Sequence, residues 1–184
     1  QDEMYWSFML GAFAGPRLEE IGQTRLDDIE TIDLAEAFGP PWSGQCTVIY
    51  ITGTGDFQSA KTEGSVRVLI VHPRLIELGF LDLVNRRRQE GADRLFELSK
   101  STNDKWTKEL SRRLNNYLDA VVTDDRHYVF HSSRHEWKDR ADNSDIPEKL
   151  SDQMSGHANG SVGRFYGLGA SIAKLSAEMD KLNT

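Results

Sequence analysis

The chain has 184 residues, a formal net charge of −7 and a single cysteine, Cys46. Its length favours one domain with its own hydrophobic core, and a lone cysteine excludes an internal disulfide framework and favours a reducing compartment. No apolar run approaches the roughly 20 residues that span a bilayer. The acidic excess comes entirely from residues 1–36 (nine acids against two arginines), so it argues against nucleic-acid binding through overall charge but leaves room for a local basic groove.

The N-terminal part of the chain is predicted to be helical. Residues 4–14 are apolar and aromatic, which indicates a buried helix, and Gly15-Pro16 ends it. Proline is favoured in the first turn of a helix, so a second, short helix is expected over residues 18–22. Because the chain begins at Gln1, within the first predicted helix, we expect a fragment of a longer protein that lacks its N-terminal part.

A small antiparallel sheet is predicted next. β-Branched residues over 47–52 and 66–71 indicate two strands, and the polar, glycine-containing connection over 53–64 predicts that they form a hairpin. Ahead of them, residues 26–32 are expected as a short extended segment or turn. Residues 38–44 are expected as a loop, because they combine glycines with a Pro-Pro pair.

The rest of the chain is predicted to be helical, with Pro73 at the start of the first helix. The predicted helices span residues 74–89, 103–121, 132–142, 147–154 and 170–182. A mostly helical pattern with one small antiparallel sheet is typical of the α+β class.

An unusual order of reactive side chains occupies the last part of the sequence. His131 stands three residues before Arg134, His157 follows a glycine, and Tyr166 lies among glycines. Arginine binds phosphate through its planar fork, histidine moves protons, and tyrosine can attack a phosphodiester as a nucleophile. This order indicates a tyrosine that opens a phosphodiester.

Such a reaction needs further groups, and the sequence offers candidates upstream. Charge that develops on the phosphate is best met by a second arginine, for which Arg17 after the Gly-Pro corner is the candidate. The departing 5′ oxygen needs a proton, and Lys61 lies in the predicted hairpin connection, where it could deliver one. Tyr166 must itself lose a proton, and His131 is a candidate base or proton relay.

Together these residues resemble the tyrosine recombinase (phage integrase) family. The resemblance spans residues 4–170 in the family's order. It rests on four motifs: Gly15-Pro-Arg17-Leu-Glu-Glu20, Lys61-Thr-Glu-Gly-Ser-Val-Arg67, the His-x-x-Arg box His131–Arg134, and Gly156-His157 followed by Tyr166.

The resemblance implies site-specific DNA recombination or integration through a 3′-phosphotyrosyl intermediate, with no cofactor and no metal. Arg17 and Arg134 would clamp the phosphate and Lys61 would be the general acid. His131 and His157 would assist in proton handling and oxygen binding, and Tyr166 would be the nucleophile. The family's chemistry conserves the energy of the phosphate ester, so no ATP is expected.

The resemblance also implies partners and domains. Residues 1–169 would form the catalytic domain and residues 170–184 a tail helix, while an N-terminal DNA-binding domain would lie outside this chain. The tail would pack on its own domain or dock on a neighbouring subunit. We expect double-stranded DNA attachment sites as partners, a homo-tetramer on DNA with a monomeric isolated domain, no membrane, and a bacterial cytoplasmic location.

Alternatives remain open. Type IB topoisomerases use a similar residue set to relax DNA. A degenerate recombinase domain that binds DNA or partners without cutting is a further alternative, because Ser133 and Glu136 depart from the family's usual residues around Arg134. His127, His131 and His135 recur at four-residue spacing, which on one helix would line a metal site.

Overall fold

The computed structural model of the protein describes residues 2–52, 66–101, 105–123, 125, 127–157 and 171–182. This part of the chain is mostly helical with a three-stranded antiparallel sheet, so the predicted α+β class is confirmed. The helices are α1 Asp2–Ala14, α2 Leu18–Gln23, α3 Leu34–Phe38, α4 Pro73–Glu77, α5 Phe80–Gln89, α6 Lys108–Tyr117, α7 Ser132–Asn143, α8 Glu148–Ser155 and α9 Ile172–Met179. The strands are β1 Ile29–Asp33, β2 Gln45–Ile51 and β3 Arg67–Ile70.

The sheet is an antiparallel meander in the order β1-β2-β3. Ile49 of β2 pairs with Ile29 on one side and with Leu69 on the other. Because side chains alternate along a strand, Ile49 and Leu69 face one core while Val48 and Ile70 face a second. The sheet is therefore buried on both faces.

Different helices cover the two faces. The first core packs α1, α2, α4, α5 and α6 against the sheet, and the second core packs α7, α8 and α9. Of the apolar residues predicted from helical spacing in this tail, Leu175, Met179 and Leu182 are buried in the second core, and Ile172 is partly buried against it. Within the described ranges, no helix combines the length and apolar character that crossing a bilayer requires.

Two helix predictions need correction. The single helix expected over 74–89 is two helices, α4 and α5, because Gly79 takes a left-handed conformation (φ 93°) between them. The helix expected over 103–121 begins only at Lys108 and ends in a π-helical turn, Leu118–Val122. Glu19 accepts hydrogen bonds from Trp106 N at 2.8 Å and from Thr107 Oγ1 at 2.5 Å, which hold these residues ahead of the helix.

The sheet is larger than the predicted hairpin. The segment over 26–32, expected as an extended segment or turn, forms a 3-10 turn at Leu26–Asp28 and then β1, which adds a third strand. The short helix α3 was not predicted; Asp33 begins it by accepting hydrogen bonds from the backbone nitrogens of Ala35 and Glu36. The predicted antiparallel pairing of β2 with β3 is confirmed, and most of the connection between them lies outside the described residues.

Candidate active site

The corner between α1 and α2 places Arg17 at the start of α2. Arg17 is half-buried, and its backbone nitrogen and Nη1 donate to the two carboxylate oxygens of Glu20, at 2.7 Å and 2.8 Å. Its Nη2 donates to the backbone oxygen of Gly156 at 3.1 Å. Gly15 fits the corner because a Cβ there would lie 2.9 Å from the ring of Trp137. The corner is thus held between α2, α7 and the end of α8.

Helix α7 places Arg134 on its buried stripe. Arg134, Trp137 and Ala141 follow helical spacing and are each at most 1% exposed. Arg134 Nη1 donates to the backbone oxygen of Gly15 at 2.7 Å, and its Nε donates to His157 Nε2 at 3.3 Å. The third nitrogen, Nη2, is buried and has no hydrogen-bond partner among the described residues. Buried donors are nearly always satisfied, so this nitrogen indicates a place for an acceptor.

A second buried arginine, Arg67 of β3, lies behind Arg17. Its Nη1 and Nη2 donate to the two oxygens of Glu20 at 3.0 Å and 2.9 Å, and its Nε donates to the backbone oxygen of Met154 at 2.9 Å. Glu20 therefore lies between two guanidinium groups. Burial alone raises the pKa of Glu20, but hydrogen bonding and charge from Arg67, and then Arg17, outweigh it and lower that pKa to about 2. We call Arg17, Arg67 and Arg134 the arginine cluster.

The C-terminal end of α8 places His157. Gly156 ends the helix in the left-handed conformation (φ 73°), and this capping turn places His157 directly after it. Ser155 Oγ lies 2.9 Å from His157 Nδ1. Because Arg134 Nε–H donates to Nε2, the neutral ring carries its proton on Nδ1, toward Ser155.

The charges of the site perturb each other. Burial, followed by the positive charge of Arg134, lowers the pKa of His157 to about 4, so the ring is neutral at pH 7. Burial, followed by repulsion from Arg17 and Arg67, lowers the pKa of Arg134 to about 10. A lowered arginine pKa means that the surroundings favour loss of its positive charge. A bound anion would reverse that preference.

His131 directly precedes α7 and is joined to Arg134 through the backbone. It is exposed at the start of α7, where its ring meets that of His135 edge to face at 5.1 Å between centroids. Its backbone oxygen accepts a hydrogen bond from the backbone nitrogen of Arg134 at 3.2 Å. His127 pairs with Asp125 at 2.8 Å, and in the described ranges no three His, Cys, Asp or Glu side chains converge as metal ligands.

Of the two residues that depart from the pattern the resemblance implies, Ser133 has a packing role between α1 and α7. Ser133 Oγ lies 2.8 Å from where a Cβ on Gly11 would stand, so α1 and α7 approach closely at a pair of small residues. Ser133 Oγ also donates to the backbone oxygen of Phe130 at 2.7 Å. Glu136 is exposed.

Two predicted site residues, Lys61 and Tyr166, lie outside the described residues. Of the other four, the structure brings together Arg17, Arg134 and His157 from three separate elements. Arg67 was not among the predicted site residues, although its place on the same strand face as buried Leu69 was a usable signal. Charged side chains are rarely buried without a partner.

The three consecutive arginines Arg86, Arg87 and Arg88 each contact other residues of the fold. Arg86 pairs with Asp2, Arg87 Nη1 pairs with Glu90 at 2.5 Å, and Arg88 Nη2 donates to backbone oxygens of the 3-10 turn and β1. These contacts account for the run within the fold.

Comparisons with protein-family models, with curated proteins and with solved structures each found no significant match to this chain.

Proposed function

We propose that the chain is the catalytic domain of a tyrosine site-specific recombinase, which breaks and rejoins double-stranded DNA through a 3′-phosphotyrosyl intermediate. The observation that carries the proposal is Arg134, an arginine 1% exposed whose Nη2 has no partner among the described residues. Its Nε donates to His157 Nε2 and its Nη1 to the backbone oxygen of Gly15, while Arg17 Nη2 donates to the backbone oxygen of Gly156, the residue before His157. A phosphate oxygen is an acceptor that matches a guanidinium fork.

The balance of charge at the arginine cluster supports an anionic ligand. The arginine cluster has three guanidinium groups, and Glu20 is the carboxylate that pairs with two of them, Arg17 and Arg67. Arg134 instead meets a backbone oxygen and a neutral imidazole. A phosphodiester bound against Arg134 would supply the missing negative charge, and the same contacts would strengthen as charge develops during attack.

The proposed reaction follows from the order of the residues. The Tyr166 oxygen forms a bond to phosphorus while the bond from phosphorus to the 5′ oxygen breaks. Lys61 gives its proton to that 5′ oxygen, and the tyrosine proton passes to a base, the role that the resemblance assigns to His131. A 5′ hydroxyl from a partner duplex then attacks the phosphotyrosine and restores the ester. The protein contributes position and charge rather than new covalent chemistry.

A suicide substrate tests the proposal. Nicked duplexes that tile the DNA on both sides of the gene would be incubated with the protein, and covalent adducts would be sought on a denaturing gel. We expect an adduct with the wild type, none with Tyr166→Phe, and an undiminished adduct with Tyr128→Phe, which removes an exposed hydroxyl. EDTA should leave the adduct unchanged. If no tiled duplex gives an adduct, the proposal is wrong.

The same substrates separate the related activities. Strand exchange between two duplexes is expected of a recombinase, whereas relaxation of supercoiled DNA without exchange would identify a topoisomerase. Binding without an adduct would identify a degenerate domain. A tetrameric assembly on paired sites, absent without DNA, is expected by sizing the complex in solution.

A further inference from the structure

Arg67 joins three elements at one buried point. It is the first residue of β3, and its side chain is 1% exposed. Its Nη1 and Nη2 donate to Glu20 of α2, and its Nε donates to the backbone oxygen of Met154 in the last turn of α8. One guanidinium group therefore fixes the distance between the start of α2 and the end of α8.

These two ends carry the groups that surround Arg134. On the α2 side, Glu20 holds both the backbone nitrogen and the Nη1 of Arg17. On the α8 side, the backbone at Gly156 lies against Arg67, since a Cβ there would stand 2.8 Å from Arg67 Cζ and Nη1. The next residue along the chain is His157. Arg67 is thus linked to Arg17 through Glu20 and contacts the backbone at Gly156, the residue before His157.

Stability alone does not account for a charged pair at this position. Burying an ion pair costs desolvation, and apolar residues of similar volume often stabilise a core as well or better. A planar fork with fixed directions does, however, hold its partners in one geometry, which a lysine ammonium cannot do. The neighbouring residues on this strand face, Leu69 and Val71, are apolar and buried, as ordinary packing requires.

We propose that Arg67 is a positioning residue that sets Arg17 and His157 around the phosphate held by Arg134. The inference rests on the proposed function, since it assigns Arg67 to the same phosphate site. Arg67 acts through Glu20 and through the last turn of α8 and does not itself contact the substrate.

Arg67→Lys tests the proposal because it keeps the positive charge and removes the fork. Its matched control is Arg88→Lys, because Arg88 is also a structural arginine, whose Nη2 donates to Leu26 O at 3.0 Å and Ile29 O at 2.8 Å and not to a residue of the candidate site. The full chain would be titrated with inorganic phosphate and followed by NMR. We expect the phosphate Kd to rise about tenfold in Arg67→Lys, the lower end of the losses in affinity that follow removal of a supporting partner at metal sites. Arg88→Lys should stay within about twofold of the wild type.

The pKa of His157 provides a readout that a general loss of stability does not move. In the wild type the ring should titrate at about 4. If Arg67→Lys lets the end of α8 move away from Arg134, both burial and repulsion decrease, and the pKa rises toward 6.5. Arg88→Lys should leave the value at about 4. An unchanged His157 pKa in folded Arg67→Lys would overturn the proposal.

The remaining outcomes are also decisive. If the wild type binds no phosphate, the proposed phosphate site fails, while the His157 titration still tests whether Arg67 positions that ring. If Arg67→Lys does not fold, solvent exchange of the Arg67 Nε–H proton is measured by NMR in the wild type instead. The hydrogen bond to the backbone oxygen of Met154 should protect this proton from exchange. Rapid exchange of that proton would overturn the proposal.

Discussion

Replacing Glu20 by glutamine removes the carboxylate that lies between Arg17 and Arg67. Glu20 accepts four hydrogen bonds from these two arginines, at 2.7, 2.8, 2.9 and 3.0 Å. Glutamine keeps one acceptor oxygen, but its other group is an NH2 donor. That donor cannot accept from the arginine N–H groups that the second carboxylate oxygen satisfied. Losing two hydrogen bonds to charged groups at about 1.5–3 kcal/mol each gives about 3–6 kcal/mol of destabilisation.

The pKa of Glu20 gives an independent figure for the same interaction. A folded-state pKa of about 2 against 4.5 for the free side chain corresponds to about 3 kcal/mol. Because the folded pKa is the lower one, this stability is present above pH 4.5 and is lost as the pH falls toward 2. The difference between the wild type and Glu20→Gln should therefore shrink in acid.

Urea unfolding followed by tryptophan fluorescence measures both effects. We expect Glu20→Gln to lower the free energy of unfolding by about 3 kcal/mol or more at neutral pH, with a smaller difference near pH 2. Glu77→Gln is the matched control, since Glu77 pairs with Arg74 at 2.7 Å on the surface with both side chains at least half exposed, and it should change stability by less than about 0.5 kcal/mol. A neutral-pH loss below about 1 kcal/mol, or one that persists in acid, would refute this reasoning.

Three further predictions concern tight packing around two glycines and the pKa of His157. Gly156→Ala should destabilise the protein by about 1–3 kcal/mol more than Gly91→Ala in urea unfolding, because both glycines have φ near 70° but only Gly156 has a guanidinium 2.8 Å from the added Cβ. Ser133→Leu, which installs the family's usual apolar residue, should cost about 1–3 kcal/mol by the same measurement, since Gly11 leaves no space beside it; equal stability would contradict this packing. Saturating phosphate should raise the pKa of His157 above about 4 in an NMR titration, because a nearby anion favours the protonated ring, and an unchanged value would argue against phosphate binding there.

Much of the secondary structure could be predicted because local signals agreed with the fold. The apolar run that forms α1 and the β-branched runs of β2 and β3 are such cases. The break between α4 and α5 was missed, because apolar residues continue at helical spacing through Gly79 and the glycine alone does not determine a break. The late start of α6 depends on Glu19, which is 87 residues from Trp106 along the chain. No pattern of neighbouring residues in the sequence predicts a contact over this separation.

The candidate site was also predicted only in part: the sequence indicates some of its residues but not the contacts that bring them together. The sequence order singled out Arg17, Arg134 and His157, and their roles still depend on the resemblance. Their meeting depends on contacts such as that between Arg134 and Gly15, 119 residues apart. Arg67 was missed because its place on an apolar strand face signals burial but does not identify its partners, Glu20 and Met154, which are 47 and 87 residues away along the chain.

The sheet with a core on each face has a consequence for the order in which the chain becomes protected during synthesis. The first core is complete once Phe130 has been made, whereas most of the second core comes from residues 137–182. Until those residues emerge, the helices that cover Val48 and Ile70 in the finished fold are missing, and this apolar face stays uncovered. At ribosomal speeds this interval lasts roughly 3–10 seconds, long enough for a chaperone or another nascent chain to reach that face. Chains that terminate before α7 should therefore aggregate rather than persist as a smaller folded unit.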